Sequence, residues 1–185
     1  LLLAFKFVDF NNIIQGLTAN DSINPLKIIT LFISMTILSI FLDELGLFEY
    51  LANFALQRAK GSQYTTFFYL YAVVSVLTVF TSNDIIILTF TPFICHFCKN
   101  ADINPLPYLF CEFIAANTWS MMLVIGNPTN IYLATSFNVT FFDYFKQMFI
   151  PTLFAGIVSL AVLLLVFRKS LKAQMNPRPM VVEIE

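Results

Sequence analysis

The stretch Tyr64 to Cys98, YTTFFYLYAVVSVLTVFTSNDIIILTFTPFICHFC, decides how this chain folds. It is apolar for far longer than one short membrane crossing, yet its middle reads Thr81-Ser82-Asn83-Asp84. A spanning helix needs about 20 mostly apolar residues, because each adds about 1.5 Å across a hydrocarbon core near 30 Å. The part after the interruption, Ile85 to Cys98, would cover only about 21 Å on that rule. Two arms around a polar tip predict a re-entrant hairpin over residues 64–98. Charge agrees, since Arg58 and Lys60 precede the hairpin and Lys99 follows it, and short basic loops favour the cytoplasmic side. A hairpin puts both loops on one side, whereas a single crossing does not.

Working outward, Pro25 suits the first turn of a helix, and a span is predicted over residues 26–42, stopping at Asp43-Glu44. Residues 1–24 read as the end of a preceding span, broken by Lys6 and Asp9, followed by a polar loop. In residues 45–57, Glu49, Asn53 and Gln57 share one helical face while Leu47, Phe48, Leu51 and Phe54 occupy the other. That pattern predicts a helix lying in the membrane interface. On the far side of the hairpin, Pro105 opens a long segment to residue 136. It is interrupted at Gly126-Asn127-Pro128-Thr129-Asn130, where Pro128 removes a backbone donor and Gly126 favours unwinding. A discontinuous helix is expected over 105–136, then a polar-aromatic linker over residues 138–146, and a final span over 149–167. Residues 168–185 form a basic tail. The loops at Arg58/Lys60, at Lys99 and from Arg168 to Arg178 hold seven of the ten Lys and Arg residues, and this threading places them all on one side, taken as cytoplasmic.

Composition fits the same class. Of 185 residues 58% are hydrophobic and 11% charged, with mean hydropathy +0.79, whereas a soluble domain carries about 25% charged residues. The fold class expected is therefore an all-α integral membrane protein, a transmembrane helix bundle with a re-entrant hairpin and a discontinuous helix. A net charge of −1 leaves no basic field for nucleic acid. The chain opens Leu1-Leu2-Leu3 without Met and reads as a fragment. Cys95, Cys98 and Cys111 lie in or beside apolar segments, which does not suggest a disulfide framework.

Irregular backbone at membrane depth survives only when buried in protein or lining a watery cavity. The two breaks, Ser82-Asn83-Asp84 and Gly126 to Asn130, are thus the candidate site. Interrupted helices present N–H groups at one half and C=O groups at the other, which suit anions and cations respectively. Asp84 is the only acidic or basic side chain between Lys60 and His96, and an intramembrane carboxylate is costly enough to suggest function. The plainer reading is that Asn83 or Asp84 caps the second arm. Glu112 lies deep enough to snorkel, pair or relay protons, and Asn117 and Thr118 either serve the site or join helices together. Cys95-His96-Phe97-Cys98 invites a metal reading, yet on a helix His96 points away from the two cysteines and no further ligands are visible. No metal centre, catalytic residue or bound cofactor is therefore expected.

The segments Phe80-Thr-Ser-Asn-Asp-Ile-Ile-Ile-Leu-Thr-Phe-Thr-Pro92, Ala115-Ala-Asn-Thr118 and Ile125-Gly-Asn-Pro-Thr-Asn-Ile131 resemble the arsenite permease and citrate transporter-like proteins of the ion transporter superfamily. The resemblance runs from about Asn24 to Phe167 and implies one of two inverted repeats, whose hairpin tips together hold substrate and coupling ion. By that resemblance Ser82, Asn83 and Asp84 match the hairpin-tip motif, which reads Ser-Asn-Thr in the dicarboxylate branch, and Gly126 and Asn127 match the helix break. Asp84 in place of Thr resembles the arsenite branch and argues against a carboxylate substrate on this tip.

The function expected is ion-coupled transport of a small anion, by symport or antiport: arsenite, a related inorganic anion, or citrate or another dicarboxylate. Substrate and ion binding is expected at Ser82, Asn83, Asp84, Asn117, Thr118, Gly126, Asn127, Thr129 and Asn130. The coupling ion is H+ or Na+, with Na+ placed at Ser82, Asn83 and Gly126. Expected partners are the anion, the coupling cation, the lipid bilayer and the second inverted repeat; a homodimer is compatible, and nucleic acid is not among them. The membrane is taken as the plasma membrane with the C-terminal tail cytoplasmic. An intramembrane enzyme and a non-transporting scaffold are the alternatives.

Overall fold

The computed structural model describes residues 10–18, 24–46, 50 and 62–172. Every element among them is helical: α1 Phe10–Thr18, α2 Pro25–Glu44, α3 Gln63–Phe80, α4 Asn83–Asn100, α5 Leu106–Trp119, α6 Pro128–Ser136 and α7 Phe141–Phe167, with short 3-10 turns at Val124–Gly126 and Ser170–Lys172. The interfacial helix expected over 45–57, the loop at Arg58 and Lys60, residues 1–9 and the tail beyond Lys172 lie outside the described residues, apart from Leu45, Gly46 and Tyr50.

Helix ends follow local chemistry. Gly46, at φ +72°, takes the left-handed conformation that ends α2. Asp102 and Asn138, also at positive φ, do the same after α4 and α6. There Ile103 N–H reaches back to Cys98 O at 3.0 Å, and Val139 N–H to Ala134 O at 2.8 Å. The final helix starts at Phe141, so residues 141–146 are not the linker expected, nor does the span begin at 149. A capping pair overrides the polar appearance of that stretch: Asp143 N–H donates to Thr140 Oγ1 at 3.3 Å and Thr140 Oγ1 donates to Asp143 Oδ2 at 2.6 Å. Pro151 sits inside the helix without ending it. At 27 residues α7 is about 40 Å long. It and α3 are each long and apolar enough to cross a membrane.

Three sets of contacts give the topology. Tyr108, near the start of α5, donates from its hydroxyl to Gln63 Oε1 at 3.2 Å and stacks its ring 6.0 Å from Phe67, so α3 and α5 begin at the same end. The same ring lies 6.2 Å from Phe97, near the end of α4. The two arms therefore run antiparallel and their outer ends meet at Tyr108. Phe110 stacks 5.8 Å from Phe167, and Tyr64 donates to Arg168 O at 2.8 Å, which brings the end of α7 to that side too. The hairpin's second arm is longer than the sequence suggested: it begins at Asn83 rather than Ile85 and has 18 residues, about 27 Å, equal to the first arm.

Tyr71 ties the middle of the bundle together. Its hydroxyl donates to Gly156 O at 2.7 Å, sits 2.8 Å from Ser159 Oγ and accepts from Trp119 Nε1 at 3.2 Å, joining α3, α5 and α7. Position 156 must be glycine, because a Cβ there would lie 2.5 Å from Trp119 Cζ2. Around this hub the interior is largely apolar, built on Phe67, Val74, Ile86, Phe90 and Ile94, but it also encloses polar side chains while apolar ones face out. Thr66, Ser75, Thr78, Ser82, Asn83, Glu112 and Thr152 are buried, whereas Phe154, Ile157, Leu165 and Val166 of α7 face outward. An apolar exterior over an interior that encloses polar groups is what lipid solvent selects. Among the described residues the molecule is all-helical, with an exterior suited to lipid.

Candidate functional site

The tip of the hairpin is Thr81 and Ser82. Leu77 O accepts from Thr81 N at 3.0 Å and from Thr81 Oγ1 at 2.8 Å, which closes α3. Ser82 is extended (φ −102°, ψ 141°) and turns the chain back; its carbonyl accepts from Ile86 N at 3.2 Å as α4 begins. Its hydroxyl makes no cap bond. Asn83 and Asp84 are thus the first residues of α4, not part of an open tip. They point differently: Asn83 is 5% exposed, whereas Asp84 is exposed.

Asn83 Nδ2 donates to Asn117 Oδ1 at 3.1 Å, joining the tip to the last turn of α5. Asn117 Nδ2 donates to Phe113 O at 2.8 Å, and Asn117 O accepts from Ser120 Oγ at 3.0 Å. Ser120 O in turn accepts from Asn130 Nδ2 at 2.8 Å, and the same amide donates to Leu123 O at 3.0 Å. One chain of hydrogen bonds therefore links Asn83, Asn117, Ser120 and Asn130, and brings hairpin tip and helix break to one level of the bundle.

The break itself lies earlier than the sequence suggested. The helix ends at Trp119 and restarts at Pro128, so the irregular stretch is 120–127, and Asn117 and Thr118 close α5 rather than preceding Gly126 on one continuous helix. Gly126 is required by close approach, not by unwinding: a Cβ on it would collide with the carbonyl oxygen of Ser120. Asn127 caps α6, its Oδ1 accepting from Thr129 N at 2.9 Å. Asn127 and Asn130 thus satisfy the broken backbone here. Thr129 is exposed and Thr118 half-buried.

The tip also holds polar atoms with no hydrogen-bond partner among the described residues. Thr78 Oγ1, Ser82 Oγ and Asn83 Oδ1 are buried without a hydrogen-bond partner. Thr78, Ser120 and the Tyr71 hub were not singled out from sequence. Thr78 stands one helical turn before Ser82, and Ser120 directly follows the Ala115 to Trp119 run, so proximity to the motifs was the available signal. Among the described residues no group of three or more His, Cys, Asp or Glu side chains could hold a metal ion. Any cation at the tip would be held by hydroxyl, amide and carbonyl oxygens, which suit hard ions.

Comparison with known proteins follows this geometry. The chain is 28% identical over 146 residues to a Dictyostelium discoideum protein named as an arsB transporter, which covers 78% of this chain and 25% of that protein. It is 28% identical over 142 residues to the 46 kDa membrane protein of Mycobacterium leprae, covering 77% and 33% respectively. It is also 28% identical over 143 residues to an arsenical pump membrane protein of Escherichia coli, covering 76% and 33%. The chain spans about a quarter to a third of the length of these curated relatives. The family model described as citrate transporter (CitMHS) matches residues 1–181. With that match over nearly its whole length, the chain belongs to the CitMHS citrate transporter family.

Proposed function

We propose that this chain is one repeat of an ion-coupled secondary transporter that moves a small anion across the membrane, and that its hairpin tip forms half of the binding site. The observation that carries this is the set of unpartnered buried oxygens on Thr78, Ser82 and Asn83. An unsatisfied buried polar group costs about 1–3 kcal/mol. Three of them at the turn of a hairpin are most simply accounted for by a species that binds there in turn. Ser82 and Asn83 supply oxygens to a coupling cation, and Asn117 fixes the amide of Asn83 in place. Asp84, exposed on the first turn of α4, carries or senses the cation from the side left open to the second repeat. Gly126 and Asn130 serve the site indirectly by holding the break against Ser120, and Asn127 does so by capping α6.

The substrate class proposed is arsenite or a related inorganic anion, or citrate or another dicarboxylate, a reading supported by relatives named for arsenical transport and by the citrate transporter family. Because Asp84, exposed beside the tip, repels a multiply charged carboxylate such as citrate more than arsenite, the arsenite reading is preferred. The basic residues Lys99, Arg168, Lys169 and Lys172 lie at the end where α4 and α7 finish, which reads as the cytoplasmic face of the plasma membrane.

The test uses the full-length protein in proteoliposomes with arsenite and citrate as probes. Asp84→Asn is expected to abolish accumulation against a gradient while leaving insertion intact, and Asn83→Ala to weaken the apparent affinity for the coupling ion. Normal uphill transport by Asp84→Asn, with unchanged ion dependence in Asn83→Ala, would reject the site.

A further inference from the structure

One buried group plays no part in the tip. Glu112 sits midway along α5 and is 1% exposed. Its Oε2 accepts a hydrogen bond from Thr91 Oγ1 of α4 at 3.1 Å, and its Oε1, equally enclosed, has no partner. This enclosure is complete within the single repeat and owes nothing to a second one. A carboxyl group at membrane depth is costly, and an apolar side chain of similar volume would fill the space without an orphaned oxygen.

Among the described residues the surroundings offer no fixed counter-charge. Helix α3 contains no acidic or basic residue. On α4, Asp84, His96 and Lys99 are all exposed, and His96 Nδ1 is paired with Asn100 Nδ2 at 3.3 Å. On α7, Asp143 and Lys146 are exposed at the opposite end, and Asp143 caps its own helix. The titratable neighbours on α5 are engaged elsewhere, Tyr108 with Gln63 Oε1 and Cys111 with Phe67 O. Buried Cys98 on α4 and the Tyr71 phenol on α3 are not bonded to Glu112 either.

We propose that Glu112, positioned by Thr91, is a proton-binding site at the seam between α4 and α5, and that its occupancy is linked to that of the hairpin tip. The inference rests on the transporter reading above. Two side-chain hydrogen bonds lace α4 to α5, Asn83 to Asn117 and Thr91 to Glu112. They stand about 12 Å apart along α4 and about 7.5 Å apart along α5. An ionised carboxylate only accepts and forms a stronger, charge-assisted bond, whereas the neutral acid also donates. Gain or loss of a proton therefore changes how tightly α4, which carries Asn83, is held on α5. By reciprocity, a ligand that shifts the tip must shift proton binding at Glu112 by the same factor.

The experiment treats full-length protein in proteoliposomes with dicyclohexylcarbodiimide, which modifies protonated carboxyl groups in apolar surroundings. Modification of Glu112 is read by mass spectrometry across roughly pH 5 to 9, alone and with sodium chloride or arsenite. Labelling that falls as pH rises, and that changes with sodium or arsenite, is the expected result. Glu112→Gln is expected to keep arsenite exchange between equal concentrations and to lose accumulation driven by a pH gradient. One pH unit, at one proton per substrate, sustains about tenfold accumulation, so that factor is what disappears. A wild-type response to the pH gradient in Glu112→Gln overturns the proposal, as does labelling that is absent or independent of pH. Labelling blind to both sodium and arsenite overturns the link to the tip. Should Glu112→Gln not fold, the labelling of wild-type protein decides alone. Wild-type protein that moves neither arsenite nor citrate defeats the transporter reading, while pH-dependent labelling still reports on Glu112.

Discussion

Gly126→Ala separates a structural role for the helix break from a ligand role. The added Cβ collides with the Ser120 carbonyl oxygen and lies 3.0 Å from both Ser120 C and Cα. These are backbone atoms and cannot swing aside as a side-chain end would. Overpacking of this kind costs about 1–3 kcal/mol. If Ser120 moves, its carbonyl also loses the bond from Asn130 Nδ2, now 2.8 Å, worth about 0.5–1.5 kcal/mol net. The sum is about 2–4 kcal/mol, and for a chain of this size each kcal/mol lowers Tm by roughly 2–4 °C. In a larger full-length protein the same loss shifts Tm less, so melting followed by size-exclusion chromatography of full-length protein in detergent should show Tm lower by a few degrees. The carbonyl of residue 126 remains in the alanine variant, so the ion dependence of the surviving protein's transport should be unchanged. An unaltered Tm, or a Tm loss accompanied by a weakened apparent affinity for sodium, would refute this account of Gly126.

Two further outcomes follow from the packing. Tyr71→Phe removes the hydroxyl that serves Gly156 O and Trp119 Nε1, so it should destabilise the protein by about 1–3 kcal/mol, read as a lower Tm in the same assay. In protein whose native cysteines are replaced by Ser, cysteines placed at Ser62, Lys99 and Arg168 should all label from one membrane face, because Gln63, Phe97 and Arg168 meet at the same end; labelling of Ser62 and Lys99 positions from opposite faces rejects the hairpin.

The class of fold was legible because lipid imposes length and polarity so strongly. Runs of apolar residues and two polar interruptions are enough to place α2, the two arms and α7. Boundaries were less legible where a local bond competes with composition. Phe141 to Lys146 looks like a linker until Thr140 and Asp143 cap one another. The break was placed at Pro128 because proline is the visible signal, yet Pro128 begins a helix, where its missing N–H costs nothing, and the irregular turn lies before it. At the site, the motif residues were visible but not their division of labour. Sequence spacing cannot reveal that Asn130 spends its amide on Ser120 and Leu123 while Asn83 keeps a free oxygen. The Tyr71 hub was invisible for the same reason, since its three partners lie 48 to 88 residues away.

Asp84 and Glu112 show how the described helices divide their acidic chemistry. Both carboxyl groups belong to apolar segments, yet one is exposed on the repeat's surface and the other is enclosed inside it. A carboxylate facing hydrocarbon would be costly, so the surface around Asp84 is suited to a watery cavity or a second protein surface rather than lipid. Glu112 needs no such cover, because α4 and α5 already bury it and Thr91 already orients it. The two groups are thereby fitted to different tasks. On the proposed reading Asp84 would meet an ion that reaches the exposed side of α4, while Glu112 would answer only to species small enough to enter the α4 and α5 seam, of which a proton is the smallest. Because α4 carries both Asp84 and Thr91, a shift of that one arm would be felt at both carboxyl groups.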